Sequence, residues 1–269
     1  MSTKFTKEEL KSPDQVTKTL REGFVWTTTH SQIVITAVIA FIVVGAGASL
    51  MNYFSTKKEN AEQAKYFVLE KAYTEKKRGF EEVARAEATA ANAKDKKTAP
   101  AVDLSKKASG DVQKDFGSVI TGFEAMINEA PKTTASQMAA LNLSDIFVSY
   151  KKYDEAMAAL TKVEAGLNKS DLTSGLVWMQ MGNVLADKGD CKAAIDKWAV
   201  IVGSKAFSFA HDEAKLRQGL CYESLNDTAK AEALYTEVSN PAADPQTMDS
   251  VSSREAAKYL RLLKAKKNL

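Results

Sequence analysis

The sequence predicts an all-α protein in which one apolar helix near the N-terminus precedes a solenoid of paired helices. Three observations support this fold class. The 269 residues include only 13 Gly and 5 Pro, too few for the many tight turns of a β-sandwich or barrel. One apolar stretch has the length of a membrane-spanning helix. A pattern of small and large residues recurs in the C-terminal half every 37 or 38 residues.

The apolar stretch, Ile33 to Phe54, lies inside a segment without Asp, Glu, Lys or Arg that covers residues 23–56. Its 22 residues would form a helix about 33 Å long, enough to cross the hydrocarbon core of a bilayer. Aromatic residues such as Trp26 and Phe54 flank both ends, at the level of the interfacial belts. We predict a transmembrane helix over residues 31–54.

A secretory signal peptide is the alternative interpretation, because residues 46–48, Ala-Gly-Ala, resemble a cleavage site. About 30 residues precede the apolar core, however, and they include Glu8 and Asp14, whereas a signal peptide begins with a short basic region. An uncleaved anchor is therefore the preferred prediction. Lys and Arg flank the stretch on both sides, so the positive-inside rule does not decide its orientation. We expect the short tail, residues 1–30, to be cytoplasmic and the larger C-terminal part to cross the membrane.

Residues 55–110 are predicted to form a helical neck and a flexible linker. Up to about residue 93 the segment is rich in Ala, Glu and Lys, which favour helix, and its large apolar residues follow a spacing of three and four. Those residues are Tyr66, Leu69, Tyr73, Phe80 and Val83. The linker that follows is polar and is interrupted by Pro100.

The predicted membrane helix also contains Gly45 and Ser49, a small-xxx-small pair of the kind that lets membrane helices pack closely. This pair predicts a homo-oligomer assembled through the same face. The other interpretation is that small residues are simply common in membrane helices.

Residues 111–269 are predicted to form a repeat domain with a terminal capping helix. Three aligned stretches, which begin at Ala139, Val177 and Ala214, each place a small residue, an Ala and a large residue at matching positions. These positions hold Ser144, Gly182 and Gly219, then Ala156, Ala194 and Ala231, then Leu160, Trp198 and Tyr235. We expect the small residue and the Ala to let two antiparallel helices approach, while the large residue fills the gap to the next helix.

The repeats resemble tetratricopeptide repeats, most clearly in the middle copy. The residues that carry this resemblance are Trp178, Met181, Gly182, Leu185, Ala194 and Trp198. With the anchor and the preceding residues Asp14-Gln15-Val16, Leu20 and Trp26, the layout resembles the bacterial membrane-anchored tetratricopeptide repeat family that includes the ancillary subunit of the SecYEG translocon. The resemblance implies an inner-membrane protein with a periplasmic domain, associated with the translocon and with periplasmic chaperones.

In tetratricopeptide arrays the first helix of each repeat lines the concave face, and the alignment therefore predicts a groove that binds a partner. Its lining is Met138, Leu141, Asp145, Val148, Leu176, Met179, Asn183, Ala186, Leu216, Leu220 and Glu223. A mostly apolar groove with two Met suits an amphipathic helix or an extended peptide. The alternative is that the neck or the terminal helix of the same chain fills the groove.

The only two cysteines, Cys191 and Cys221, belong to helix ends that a solenoid brings together. A disulfide between them is geometrically feasible, and an oxidising periplasm would favour it. Two buried free cysteines are the alternative, because free Cys is commonly buried.

The sequence contains no recognisable set of catalytic, metal-ligating or cofactor-binding residues. It has two His, His30 and His211, and it lacks HExxH, CxxC and a glycine-rich phosphate loop. A net charge of +3, from 37 basic and 34 acidic residues, does not indicate nucleic acid as a partner.

We therefore predict a non-catalytic, membrane-anchored scaffold that binds the translocon, a chaperone or a client polypeptide and that contacts lipid through one helix. The alternative function is an oligomeric coordinator of cell-envelope or division machinery.

Overall fold

The structure, a computed structural model, describes residues 15–92, 106–240 and 250–267, and these residues contain helices and no strand. Two short 3₁₀ segments, Glu164–Gly166 and Lys205–Ala210, lie between helices. The α-helices are α1 (Gln15–Thr29), α2 (Ser31–Asn92), α3 (Val112–Glu129), α4 (Thr134–Ser149), α5 (Tyr153–Val163), α6 (Leu172–Asp187), α7 (Cys191–Val202), α8 (His211–Ser224), α9 (Thr228–Ser239) and α10 (Val251–Lys267).

The chain divides into two compact units, Met1–Lys58 and Glu59–Leu269. In the first unit, the backbone N–H of His30 donates to the Trp26 carbonyl at 2.9 Å, and Val34 N–H donates to the His30 carbonyl at 3.1 Å. The helical hydrogen-bonding pattern therefore continues from α1 into α2. Among the described helices, α2 is long and apolar enough to cross a membrane by its length and composition. The predicted tail falls partly on residues 1–14, outside the described residues.

The second unit consists of helical hairpins, and α4–α5, α6–α7 and α8–α9 are the three predicted repeats. An acidic side chain caps the second helix of two of them. Asp190 accepts a hydrogen bond from the Ala193 backbone N–H at 3.1 Å, and Asp227 accepts one from Lys230 N–H at 3.2 Å. Such caps satisfy backbone donors at the first turn and so define where each helix begins.

The small and large residues of the repeat pack against each other within one hairpin. A Cβ on Gly182 would lie 2.6 Å from Cδ1 and Cε2 of the Trp198 ring, and one on Gly219 would lie 2.5 Å from Cε1 of the Tyr235 ring. We expected the large residue to fill the gap to the next helix. In the second and third repeats it also covers the small residue on the first helix of its own repeat, because the absence of a side chain there leaves room for an aromatic ring.

The turn inside each repeat places one residue in the left-handed region. These residues are Lys151 (φ 59°), Gly189 (φ 93°) and Asn226 (φ 62°), at repeat spacings of 38 and 37. Gly and Asn adopt this conformation readily, whereas Lys151, in the turn of the first repeat, adopts it at a higher cost.

The second unit begins at Glu59, so it includes the C-terminal part of the predicted neck. There α2 packs against α3, with the Tyr66 and Phe123 ring centroids 6.2 Å apart and those of Tyr73 and Phe116 5.9 Å apart. The apolar residues that recur every three or four positions therefore form the face that α2 buries. The predicted linker lies mostly on residues 94–105, outside the described residues, and the predicted domain boundaries stay predictions.

At the other end of the solenoid, α10 packs against α8 and α9. Ala256 and Leu263 of α10 are buried in one apolar cluster with Leu216 and Tyr235. The Tyr235 and Tyr259 rings stack with centroids 5.8 Å apart. This helix occupies the position that the sequence predicts for a terminal capping helix.

Candidate partner-binding surface

The part of the predicted groove that belongs to α4 is covered by α2. Asp145 accepts a hydrogen bond from the Tyr73 hydroxyl and pairs with Lys77 Nζ at 2.6 Å. Three residues earlier, Asn142 donates to the Tyr66 hydroxyl at 3.0 Å. The other predicted residues of this part are Met138, Leu141 and Val148, which are half-buried and pack against the core.

The electrostatics of this contact follow from partial burial and from the hydrogen bonds. Burial alone would raise the pKa of Asp145, but hydrogen bonds from Lys77 and Tyr73 lower that pKa below its usual value. Burial and the bond to Asp145 raise the pKa of Tyr73 to about 12. At neutral pH the phenol is therefore protonated and donates to a carboxylate.

The part that belongs to α8 is covered by α10. Leu216 is buried, and Leu220 is half-buried against the apolar cluster that α10 completes. Glu223 accepts hydrogen bonds from Lys266 Nζ at 2.8 Å and from the Tyr235 hydroxyl at 3.2 Å.

The part that belongs to α6 is exposed at the N-terminal end of this helix. Leu176 has 48% of its surface exposed, while Met179, Asn183 and Ala186 are half-buried. Leu172, one turn before Leu176, is 59% exposed, and the sequence interpretation missed it. Spacings of four, three and four place Leu172, Leu176, Met179 and Asn183 on one face of the helix, which we call the open stripe.

Polar atoms at the inner end of the open stripe are only partly satisfied. Asn183 Nδ2 donates to Gln180 Oε1 at 3.5 Å, whereas Asn183 Oδ1 is buried and accepts no hydrogen bond from the described residues. The predicted groove thus separates into two covered ends and an open centre. That a partner binds there stays a prediction.

A disulfide joins Cys191, the first residue of α7, to the buried Cys221 of α8, with the two Cα atoms 5.1 Å apart. It links the second repeat to the third. Its formation in the cell stays a prediction.

The two histidines both bond to backbone carbonyls: His211 Nε2 lies 2.9 Å from Ser204 O and His30 Nδ1 lies 3.0 Å from Trp26 O. Among the described residues there is no group of three or more His, Cys, Asp or Glu that could hold a metal ion.

These features define the class of protein as a helical-repeat scaffold, a fold that typically binds other proteins and is typically non-catalytic. The chain belongs to the tetratricopeptide repeat-like domain family, whose model matches residues 25–251. No curated protein matches the sequence. Among solved structures, the crystal structure of MamA is similar, with 18% identity and a TM-score of 0.40 over 60% of this chain and 95% of that chain.

Proposed function

We propose that this protein is a non-catalytic, membrane-anchored scaffold that binds a polypeptide partner on the open stripe, at the Sec translocon with periplasmic chaperones or client proteins. The observation that carries the proposal is the exposure of Leu172 and Leu176, between parts of the predicted groove that α2 and α10 cover. An exposed apolar stripe beside buried surface is typical of a site that a partner covers.

The chemistry of the stripe favours an apolar segment of a polypeptide. The stripe presents two exposed Leu side chains one helical turn apart, followed by a half-buried Met. This spacing matches the apolar anchors of an amphipathic helix, and the same surface also suits an extended apolar segment. The flexible Met179 side chain would adapt to anchors of different shape. A client or a chaperone segment of this type is therefore the proposed ligand.

The anchoring role rests on α2. Residues 33–54 of this helix carry no charge, and large side chains such as Phe41 (82% exposed) are uncovered in the first unit. Surface of this kind is stable in contact with lipid and costly in water. We propose that residues 31–54 span the inner membrane, with the tail cytoplasmic and the repeat domain periplasmic. Protease added to spheroplasts should then digest the repeat domain, and protection until lysis would contradict this orientation.

Site-specific photo-crosslinking tests the partner site. A photoreactive amino acid at position 176 should crosslink to translocon subunits or to exported polypeptides in intact cells. Leu262 of α10 is 49% exposed, which matches Leu176 at 48%, so position 262 is the control. An absence of crosslinks at 176, or the same crosslinks at both positions, would contradict the proposal.

A further inference from the structure

The loops that precede the three repeats lie side by side at one edge of the solenoid. These loops, which lead into α4, α6 and α8, are residues 130–133, 164–171 and 203–210. A Cβ on Gly166 would lie 2.7 Å from the Cα of Lys132, so the first loop contacts the second. The Ser204 hydroxyl donates to the Lys169 carbonyl at 2.8 Å, so the second contacts the third. The three loops therefore form one continuous surface, which we call the loop edge.

Each loop of the loop edge carries one exposed lysine. Lys132, Lys169 and Lys205 recur at intervals of 37 and 36 residues, close to the period of the repeats. None of the three side chains has an ion pair or a hydrogen bond with the described residues. The repeat pattern therefore places a row of three unpaired positive charges along one edge of the domain.

The two acidic residues of the same loops have partners inside the domain. Glu164 pairs with Lys197 Nζ at 2.5 Å. Asp171 accepts a hydrogen bond from the Ser174 backbone N–H at 2.9 Å and so caps α6. Since these carboxylates already have partners, the positive charge of the three lysines stays available to an anionic surface.

The opposite edge of the solenoid, formed by the turns inside the repeats, has a different charge pattern. It lies one helix length away, about 24 Å for the 16 residues of α4. All three of its turns have a lysine in an ion pair: Lys152 with Glu155, Lys188 with Asp154 and Lys230 with Asp227. A row of unpaired lysines at the repeat period is therefore a property of the loop edge and not of both ends of the hairpins.

The last loop of the loop edge also presents an exposed aromatic ring. Phe209 has 60% of its surface exposed. Two residues earlier, Phe207 is buried, and its ring centroid lies 5.8 Å from that of Trp178. His211 Nε2 lies 2.9 Å from the Ser204 carbonyl oxygen and fixes the other end of the loop. The loop is therefore positioned by contacts that do not use Phe209, and this ring is available to a partner.

The covalent chain keeps the loop edge close to the proposed membrane span. Glu59, the first residue of the second unit, follows Phe54 by five residues, which reach at most about 18 Å when fully extended. The Glu59 carboxylate accepts hydrogen bonds from the backbone N–H groups of Thr134 and Ala135, both at 3.1 Å. The first turn of α4, which directly follows the loop that contains Lys132, is thus bonded to a residue that stays within a short chain length of the bilayer.

We propose that the loop edge binds the surface of the membrane that residues 31–54 span, with its three lysines pairing with the phosphates of anionic phospholipids and Phe209 entering the interfacial region. Lipid is the proposed partner because the span keeps a bilayer within reach of this edge. Basic residues beside an exposed aromatic ring suit such a surface, and each lysine near an anionic bilayer strengthens binding roughly fivefold. The inference rests on the proposed membrane anchor, but it requires neither a particular orientation of the span nor a partner on the open stripe.

Photo-crosslinking to lipid tests the proposal with the full chain in nanodiscs of phosphatidylcholine and phosphatidylglycerol. A photoreactive amino acid at position 209 should crosslink to phospholipid. Position 225 is the matched control, because Leu225 is also exposed, at 39%, and follows α8, whereas Phe209 precedes this helix. The 14 residues of α8 separate the two positions by about 21 Å. The lipid crosslink at 209 should exceed that at 225 at least about fivefold.

Removal of charge tests whether the lysines recognise the headgroups. A variant that combines Lys132→Gln, Lys169→Gln and Lys205→Gln should lower the lipid crosslink at 209 at least about threefold, because three charge pairs are lost. Nanodiscs of phosphatidylcholine alone should have the same effect on the wild type. The control variant removes three exposed lysines near the opposite edge, Lys151→Gln, Lys188→Gln and Lys192→Gln, and should leave the yield unchanged. Both variants should keep the melting temperature of the wild type, because the replaced side chains are exposed.

Equal lipid crosslinks at positions 209 and 225, an unchanged yield in the loop-edge variant, or an equal yield in phosphatidylcholine alone would each overturn the proposal. In intact cells, crosslinks from position 209 to a protein and none to lipid would overturn it in favour of an acidic protein surface. Alkaline extraction of membranes separates this proposal from the anchor. A chain that resists extraction but gives no lipid crosslink at 209 would overturn the loop-edge proposal alone, whereas release of the wild-type chain would overturn both.

Discussion

The first helices of the first and second repeats hold equivalent positions in the solenoid, yet they differ in what covers them. Asp145 of α4 is bound by Tyr73 and Lys77 of α2, whereas Asn183, at the equivalent position of α6, has a buried oxygen without a hydrogen bond from the described residues. Two turns earlier, Met138 is half-buried and Leu176 is exposed. Similar residues on repeated helices are therefore covered or exposed according to the neighbouring helix.

The largest expected effect on the free energy of unfolding comes from the covalent link between two repeats. The second repeat is linked to the third by the Cys191–Cys221 disulfide across 30 residues, whereas hydrogen bonds tie the first repeat to α2. Replacing both cysteines by Ser should lower the free energy of unfolding by about 3 kcal/mol, because the unfolded chain regains the entropy of the closed loop. Urea denaturation of oxidised protein measures this difference. Two free thiols in protein isolated under oxidising conditions would show that the bridge does not form.

The covered and exposed parts of the predicted groove should respond differently to charge. Leu141→Glu on α4 should cost about 2.5 kcal/mol, because a carboxylate would be placed in a partly buried apolar contact with the core. Leu176→Glu on α6 should change stability by less than about 0.5 kcal/mol, because the site is exposed, and should instead abolish partner binding. Thermal melts followed by circular dichroism compare the two variants. Equal destabilisation by both would mean that the open stripe is covered in the folded protein.

The small residues of the two repeats should also differ in their tolerance of a side chain. Gly182→Ala should lower stability by about 2 kcal/mol, because the added methyl group overlaps the Trp198 ring. Ser144→Ala, the equivalent change in the first repeat, should cost about 1 kcal/mol or less, because it removes only the hydrogen bond from Gln180. Chemical denaturation monitored by Trp fluorescence provides both values, and a neutral Gly182→Ala would refute the packing argument.

The smallest effect concerns the contact between Asp145 and α2. The pKa of Asp145 is lowered in the folded state, so its ion pair contributes stability above the unfolded pKa of about 4, and this contribution disappears as pH falls through the folded pKa. Because half of the Asp145 side chain is exposed, solvent screening limits the contribution to less than about 1 kcal/mol. Asp145→Asn should therefore be slightly less stable than the wild type at pH 7. The two proteins should converge below pH of about 4, and a constant difference down to pH of about 2 would contradict this cause.

The sequence by itself determined the helical class, the tetratricopeptide-like character of the repeats and their register. The positions of the small residue, the Ala and the large residue recur every 37 or 38 residues, because the two helices of each hairpin pack together in the same way. The contact between Gly182 and the Trp198 ring is an example. The apolar spacing of residues 66–83 likewise identified the face that α2 buries. These features depend on contacts within one helix pair, which the sequence of that pair encodes.

Only the tertiary structure decided which residues of the predicted groove are covered and where a cavity remains. The contact between Tyr73 and Asp145 joins residues 72 positions apart, and the walls of a cavity of about 560 Å³ come from α2, α3 and α4. The exposure of Leu172 and Leu176 on α6 likewise depends on which helices pack against the described residues. Periodicity within each helix does not encode these relationships, because they follow from how separate helices stack.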